Sequence, residues 1–189
     1  DSEYRYGSPP LTALQGLDER ERVIYLGTFS KVLFPSLRLG YLVLPLSLTT
    51  AFAAVRDAAD IHPPVLLQAT LADFIELGHF ARHLRRMRAH YGRLREILAT
   101  GLQTQLGGRL ELVGAAAGMH LAALLPEGAS DSAIAAAAYA RGLSVLPLSY
   151  CRLRPRGRRT RDGLVLGFGS LQPAQISAAV AKLARCFGS

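Results

Sequence analysis

Lysine is nearly absent from this chain of 189 residues. Of its 22 basic side chains only Lys31 and Lys182 are lysines, and the others are arginines. Cysteine is equally scarce: Cys151 and Cys186 form neither a CxxC pair nor the spacing of a metal site. The scarcity of cysteine indicates a reduced, cytoplasmic protein, and the scarcity of lysine raises the question of what Lys31 does that an arginine could not.

Long apolar runs are absent as well. No run of roughly 18 or more apolar residues, the length that a membrane span needs, occurs in the sequence, and no basic and apolar leader opens the chain, so neither a span nor a signal peptide is predicted. Half of the residues are hydrophobic, which is enough for a sizeable core. The net charge of +8 is compatible with nucleic-acid binding, but arginine in place of lysine on solvated faces explains it more simply.

The pattern along the chain predicts two kinds of region. Residues 22–27 and 37–45 are apolar and predict two buried strands on either side of a polar loop, which places that loop at the end of a sheet, where α/β proteins bind ligands. The remaining predicted elements are helices at 47–60, 65–78, 79–102, 130–143 and 172–187, strands at 109–114, 118–126, 144–149 and 163–171, and a basic loop at 152–161.

The loop between the first two strands contains the residues that are candidates for a functional site. A lysine amine forms a Schiff base with a carbonyl, whereas a guanidinium stays protonated, so Lys31 has a role that no arginine can take over. Thr28 and Ser30 offer hydroxyls just before it, and Arg38 offers a fork of donors suited to phosphate. This combination fits a phosphorylated aldehyde such as pyridoxal 5′-phosphate, although Ser-Lys pairs are most often solvated turns.

GTFSKVLFPSLRLGYLVLP at 27–45 resembles the lysine segment of aminotransferase-like pyridoxal phosphate proteins of fold type I. More narrowly, it is similar to MocR-type regulators of the GntR superfamily, which join a winged-helix domain to an aminotransferase-like effector domain. The resemblance extends in order through DSEYRY at 1–6, PPLTALQGLD at 9–18, the helical stretch 72–98, SVLPLS at 144–149 and LVLGFGSLQPAQI at 164–176.

The resemblance implies an α/β fold, namely part of a fold-type I transferase. Residues 1–60 would be the C-terminal portion of the large, cofactor-binding domain, 61–104 a long connecting helical region, and 105–189 a small α+β domain. The family's partner for the pyridine nitrogen, its ring-stacking aromatic residue and the winged helix would all precede Asp1. The chain is therefore expected to be the C-terminal part of a larger protein.

The resemblance also assigns roles to single residues. Lys31 would be the catalytic residue and hold the cofactor as a Schiff base, Thr28 and Arg38 would bind the phosphate, and Ser30 would contribute more weakly. The arginine that binds a substrate carboxylate is missing from its expected register at the start of strand 163–171. Arg161, or Arg159, would replace it from the basic loop.

The first functional hypothesis is the effector domain of a transcriptional regulator, which binds an amino acid or amine and forms a homodimer. DNA would be bound only through the winged helix outside this chain, and no membrane is involved. The alternatives are an aminotransferase acting on an amino acid, and a truncated remnant without activity. A winged helix upstream would favour the regulator.

His79 and His83 stand four residues apart on a predicted helix, a spacing that can bind a metal. The HExxH pattern is absent and no third ligand is evident in the sequence, so a packing or surface role is expected and no metal is predicted.

Overall fold

The computed structural model describes residues 3–7, 9, 11–62, 64–114, 117–153 and 161–187. The five helices of these residues are α1 (Thr49–Asp60), α2 (Val65–Glu76), α3 (His79–Leu106), α4 (Asp131–Tyr139) and α5 (Pro173–Ala184). The six strands are β1 (Tyr25–Thr28), β2 (Gly40–Val43), β3 (Glu111–Val113), β4 (His120–Leu124), β5 (Leu146–Pro147) and β6 (Gly163–Gly167).

The chain divides into two compact units. The first unit is residues 1–3 and 9–86, and the second is residues 4–8 and 87–189. Helix α3 is shared, because its first two turns belong to the first unit and the rest belongs to the second. The domain boundaries expected at residues 60 and 104 stay a prediction.

The first unit contains a ribbon of two antiparallel strands, in which Thr28 of β1 pairs with Gly40 of β2. The sequence correctly predicts both strands, but their predicted burial is wrong. Every residue of β2 is exposed, and Gly27 is the one buried residue of β1. The apolar residues in this region face solvent because each strand has one partner among the described residues and no second layer of these residues covers them.

Gly27 is required at its place in the ribbon. It pairs with Tyr41 across the two strands, and the tyrosine ring lies over it. A Cβ atom at Gly27 would come within 2.3 Å of the Tyr41 ring. Tyr41 is also 6.0 Å from Tyr25 and 5.5 Å from Phe29, measured between ring centroids, so this glycine makes room for a small aromatic group on the ribbon.

The second unit is built on a four-stranded antiparallel sheet with the order β3-β4-β6-β5. The predicted hairpin at 109–126 is confirmed, with Leu112 opposite Ala123. The strand predicted at 144–149 is shorter than expected, because only Leu146–Pro147 pairs with β6 and the chain then continues as a short 3-10 helix.

Local signals set the helix ends of this unit. Ser130 is the N-cap of α4 and accepts a hydrogen bond from the Ala133 N–H at 3.3 Å. Helix α5 begins with a proline, and Gln172 and Gln175 form a reciprocal capping box.

The core of the second unit lies between the sheet and the helices. Leu94, Leu98, Leu102 and Leu106 recur every four residues on α3, which makes one buried stripe. The stripe belongs to a cluster of buried residues that also includes Leu121, Ala123, Leu125, Ala138, Leu164, Leu166, Phe168, Ile176, Val180 and Leu183. Each Å² of apolar surface removed from water contributes about 25 cal/mol to folding, so the burial of this cluster is the main source of stability for the second unit.

Asp131 is a buried carboxylate that joins three segments of the second unit. It accepts hydrogen bonds from the backbone N–H and the hydroxyl of Ser149, both at 2.8 Å, and from the Gly163 N–H at 3.4 Å. Burial alone would raise the pKa of Asp131, but these hydrogen bonds outweigh it and leave the pKa below its ordinary value.

No helix among the described residues is both long and apolar enough to cross a membrane.

Candidate functional site

The lysine loop, residues 29–39, connects the two strands of the ribbon. It leaves β1 after Thr28 and returns into β2 after a short 3-10 helix at Pro35–Leu37. The Phe29 N–H donates to the Leu39 carbonyl at 3.1 Å, which closes the base of the loop. Lys31 and Arg38 therefore extend from the same end of the ribbon.

Thr28 and Ser30 contact each other at the start of this loop. The Thr28 hydroxyl lies 3.1 Å from the Ser30 hydroxyl and 3.4 Å from the Leu39 carbonyl, and the Ser30 N–H donates to the Thr28 oxygen at 3.2 Å. This is a side-chain turn of the kind that Ser and Thr favour. It holds two hydroxyls in a fixed place immediately before Lys31.

Lys31 and Arg38 are both exposed. The Arg38 backbone adopts a left-handed conformation, with φ of 51°, at the end of the short 3-10 helix. For any residue other than glycine, this backbone conformation costs about 1 kcal/mol or more. The backbone is therefore strained at Arg38, the residue predicted to bind phosphate.

The loop is packed onto α2 and α3. Leu37 and Leu39 form a small buried cluster with Leu71 of α2. On α3, the Phe80 ring meets the Phe29 ring edge-on, with 5.8 Å between centroids, and His83 Nε2 lies 2.8 Å from the Val32 carbonyl oxygen. Within the described part of the chain no group of histidine, cysteine and acidic residues could hold a metal ion.

Arg161 belongs to the second unit, whereas the other predicted site residues belong to the first. Its guanidinium donates to the Leu125 carbonyl through Nε and Nη2, at 3.1 and 3.0 Å, and forms an ion pair with Glu111. Binding of a substrate carboxylate by Arg161 stays a prediction, and it would compete with Glu111. Arg159 lies outside the described residues.

The donors at the end of the ribbon fit a phosphorylated aldehyde. Two hydroxyls and one guanidinium are suited to phosphate oxygens, and one amine is suited to the carbonyl carbon. The functional groups of these residues, and the order of the residues along the chain, therefore fit pyridoxal 5′-phosphate.

Comparison with known families agrees with this chemistry. The family model described as aminotransferase class I and II matches residues 2–161. The chain belongs to this family. The match spans the ribbon, the lysine loop, all of α3 and the second unit as far as Arg161, so it reaches into both compact units and ends before β6.

Curated relatives identify a subgroup within the aminotransferase family. The chain is 38% identical over 189 residues to the probable rhizopine catabolism regulatory protein MocR of Rhizobium meliloti, covering 99% of this chain and 37% of that protein. It is 35% identical over 173 residues to the transcriptional regulator TauR of Rhodobacter capsulatus, covering 92% of this chain and 35% of that protein. The resemblance to MocR-type regulators is thus confirmed, and the chain spans little more than a third of these relatives.

A solved structure shows the fold. The chain superposes with a TM-score of 0.84 on LysN, an α-aminoadipate aminotransferase of Thermus thermophilus complexed with N-(5′-phosphopyridoxyl)-L-leucine, at 26% identity. The match covers 98% of this chain and 47% of that one. The expected fold is confirmed: the chain is part of a fold-type I transferase, with the end of the large domain followed by a small α+β domain.

The sequence did not reveal two features around the site. Nothing in the spacing of residues predicts that His83 reaches Val32, since 51 positions separate them. The left-handed backbone at Arg38 is also unexpected, because glycine is the usual signal for that conformation.

Proposed function

We propose that this chain is the pyridoxal phosphate-binding portion of an aminotransferase-like effector domain in a transcriptional regulator. The proposal rests on one observation: Thr28 ends β1, and Ser30, Lys31 and Arg38 all belong to the loop that closes this end of the β1–β2 ribbon. The similarity to MocR-type regulators supports the regulatory role.

Each residue has a distinct part in binding. Lys31 would hold the cofactor covalently through its amine, which is the chemistry that arginine cannot supply. Arg38 would bind phosphate oxygens in its fork, and the Thr28 hydroxyl would donate to another oxygen, with a smaller contribution from Ser30. When bound, the cofactor supplies an electrophilic carbon at which an amino compound can react.

Binding of an amino compound at this site can affect DNA binding only through thermodynamic linkage between the two binding events. An amino acid or amine that reacts at this site changes DNA binding only if it has different affinities for two arrangements of the whole protein. DNA contacts belong to a winged helix outside this chain, and a homodimer is the expected assembly.

A second candidate is an aminotransferase that acts on an amino acid. The structural similarity to LysN supports this alternative through the shared fold alone, since the same fold can serve catalysis or regulation. In this case Lys31 would move a proton as a general base in addition to holding the cofactor.

The binding proposal is tested by adding pyridoxal 5′-phosphate to the chain, recording the visible spectrum, reducing with borohydride and locating the adduct by peptide mass. We expect the adduct on Lys31 in the wild type and in Lys182→Arg, and its loss in Lys31→Arg, which keeps the charge. An adduct of equal yield on both lysines, or none on Lys31, would refute the proposed function.

A transamination assay separates the two candidates. Formation of a keto acid from an amino acid at catalytic turnover, in the full-length protein, would favour the enzyme. Ligand-dependent DNA binding without turnover would favour the regulator.

A further inference from the structure

The carbonyl next to the predicted Schiff-base lysine is held by a histidine from another element. His83 Nε2 lies 2.8 Å from the carbonyl oxygen of Val32, the residue that follows Lys31. A carbonyl oxygen only accepts hydrogen bonds, so Nε2 must carry the hydrogen and donate it. Val32 is 4% exposed and His83 is half-buried, so this hydrogen bond is partly shielded from water.

Helix α3 also contacts the lysine loop on the N-terminal side of Lys31. The Phe29 ring packs edge-on against Phe80, with 5.8 Å between the centroids. Phe80 and His83 are three residues apart and therefore share one face of α3. The N–H of Leu33, the residue after Val32, donates to the Phe29 carbonyl at 2.9 Å and closes a turn that contains Lys31.

We propose that His83 is a positioning residue for Lys31. Its hydrogen bond fixes the backbone at Val32, so the turn at residues 29–33 keeps one conformation and the Cα–Cβ bond of Lys31 leaves the loop in one direction. The gain is in orientation, because a reactive group held in place loses less entropy when it bonds to its target. The role at Lys31 rests on the proposed function, whereas the fixing of the loop does not.

Two substitutions at one position test the hydrogen bond itself. In His83→Gln the amide nitrogen reaches about as far along the side chain as Nε2 does, so it can still donate to Val32. In His83→Asn the donor is one carbon shorter and falls short of the carbonyl. His79→Gln is the matched control, since His79 stands one turn earlier on α3 and is exposed.

The first measurement needs no cofactor. Amide hydrogen exchange of residues 29–33, followed by NMR, reports whether the turn stays closed. We expect His83→Asn to speed exchange at Leu33 about tenfold, the change that follows from losing one hydrogen bond of ordinary strength. His83→Gln and His79→Gln should stay within about twofold of the wild type.

The second measurement is the initial rate at which pyridoxal 5′-phosphate forms a borohydride-reducible adduct on Lys31. We expect this rate to fall about tenfold in His83→Asn and to be restored by His83→Gln. Wild-type exchange in His83→Asn would overturn the proposal, and so would failure of His83→Gln to rescue. Faster exchange with an unchanged adduct rate would also overturn it, since the loop would then not orient the lysine.

The two measurements, hydrogen exchange and adduct formation, can fail independently, so they separate this inference from the proposed function. If the wild type forms no adduct on Lys31, the proposed function fails, and hydrogen exchange alone then decides whether His83 fixes the loop.

Discussion

The two units of this chain use their apolar residues in opposite ways. The second unit buries a cluster of fourteen residues between a four-stranded sheet and the helices α3 and α5. The first unit buries a cluster of three, Leu37, Leu39 and Leu71, and leaves large apolar side chains such as Leu26 at 72% exposure. Within this chain, which covers 47% of the LysN chain that shares its fold, the second unit has a large core of its own, whereas the buried cluster of the first unit lies beneath the loop that carries Lys31.

The largest difference between the units should appear in a matched truncation. Leu102→Ala removes a side chain that is 1% exposed in the large cluster, and we expect it to lower the free energy of unfolding by about 3–5 kcal/mol. Leu71→Ala in the small cluster should cost about 2 kcal/mol, because the site is 9% exposed and can relax. Urea denaturation followed by circular dichroism measures both. Equal losses would contradict the contrast between the two units.

A smaller effect is expected from the buried carboxylate of the second unit. Asp131→Asn removes the charge that accepts three hydrogen bonds, and should cost about 2 kcal/mol at neutral pH. Asp57→Asn, at an exposed position on α1 in the first unit, is the control and should change stability by less than about 0.5 kcal/mol.

The Asp131→Asn variant also tests how the free energy of unfolding depends on pH. The pKa of Asp131 is lower in the folded chain than its ordinary value near 4, so its stabilisation is complete above that value and is lost as the pH falls through the folded pKa. We expect wild-type stability to decline below about pH 4 and the part due to Asp131 to disappear from the pH profile of Asp131→Asn. Identical acid profiles would show that this carboxylate is not the titrating group.

The smallest predicted effect concerns strain in the first unit. Arg38→Gly should be more stable than Arg38→Ala by about 0.5–1 kcal/mol, because glycine accepts a φ of 51° without a Cβ penalty. Both variants remove the guanidinium, so pyridoxal 5′-phosphate should bind them equally weakly. Denaturation and a spectroscopic titration on the two variants separate the backbone from the side chain. A tighter complex with one variant would mean that the backbone also shapes the binding site.

Much of the second unit is predictable from its sequence, because its signals are local. The period of four in Leu94, Leu98 and Leu102 predicts the buried face of α3, and Ser130 predicts the start of α4. Burial in the first unit is not predictable in this way. An apolar run such as residues 37–45 indicates a strand, but whether its faces are covered depends on elements far away in sequence.

The candidate site shows the same limit. Thr28, Ser30, Lys31 and Arg38 follow from the chemistry of one loop and from the family resemblance. The contact of His83 with Val32 depends on tertiary packing between segments 51 positions apart. The ion pair of Arg161 with Glu111 likewise joins distant segments, and no spacing rule reports either contact.

The scarcity of lysine gives the two units one amine side chain each, Lys31 in the first and the exposed Lys182 on α5 in the second. Once the α-amine is blocked, amine-reactive dyes or cross-linkers therefore mark one lysine side chain in each unit, without any engineered cysteine. Energy transfer between the two labels would follow the separation of the units in solution. Occupying Lys31 with an aldehyde would silence one label and leave the other as an internal standard.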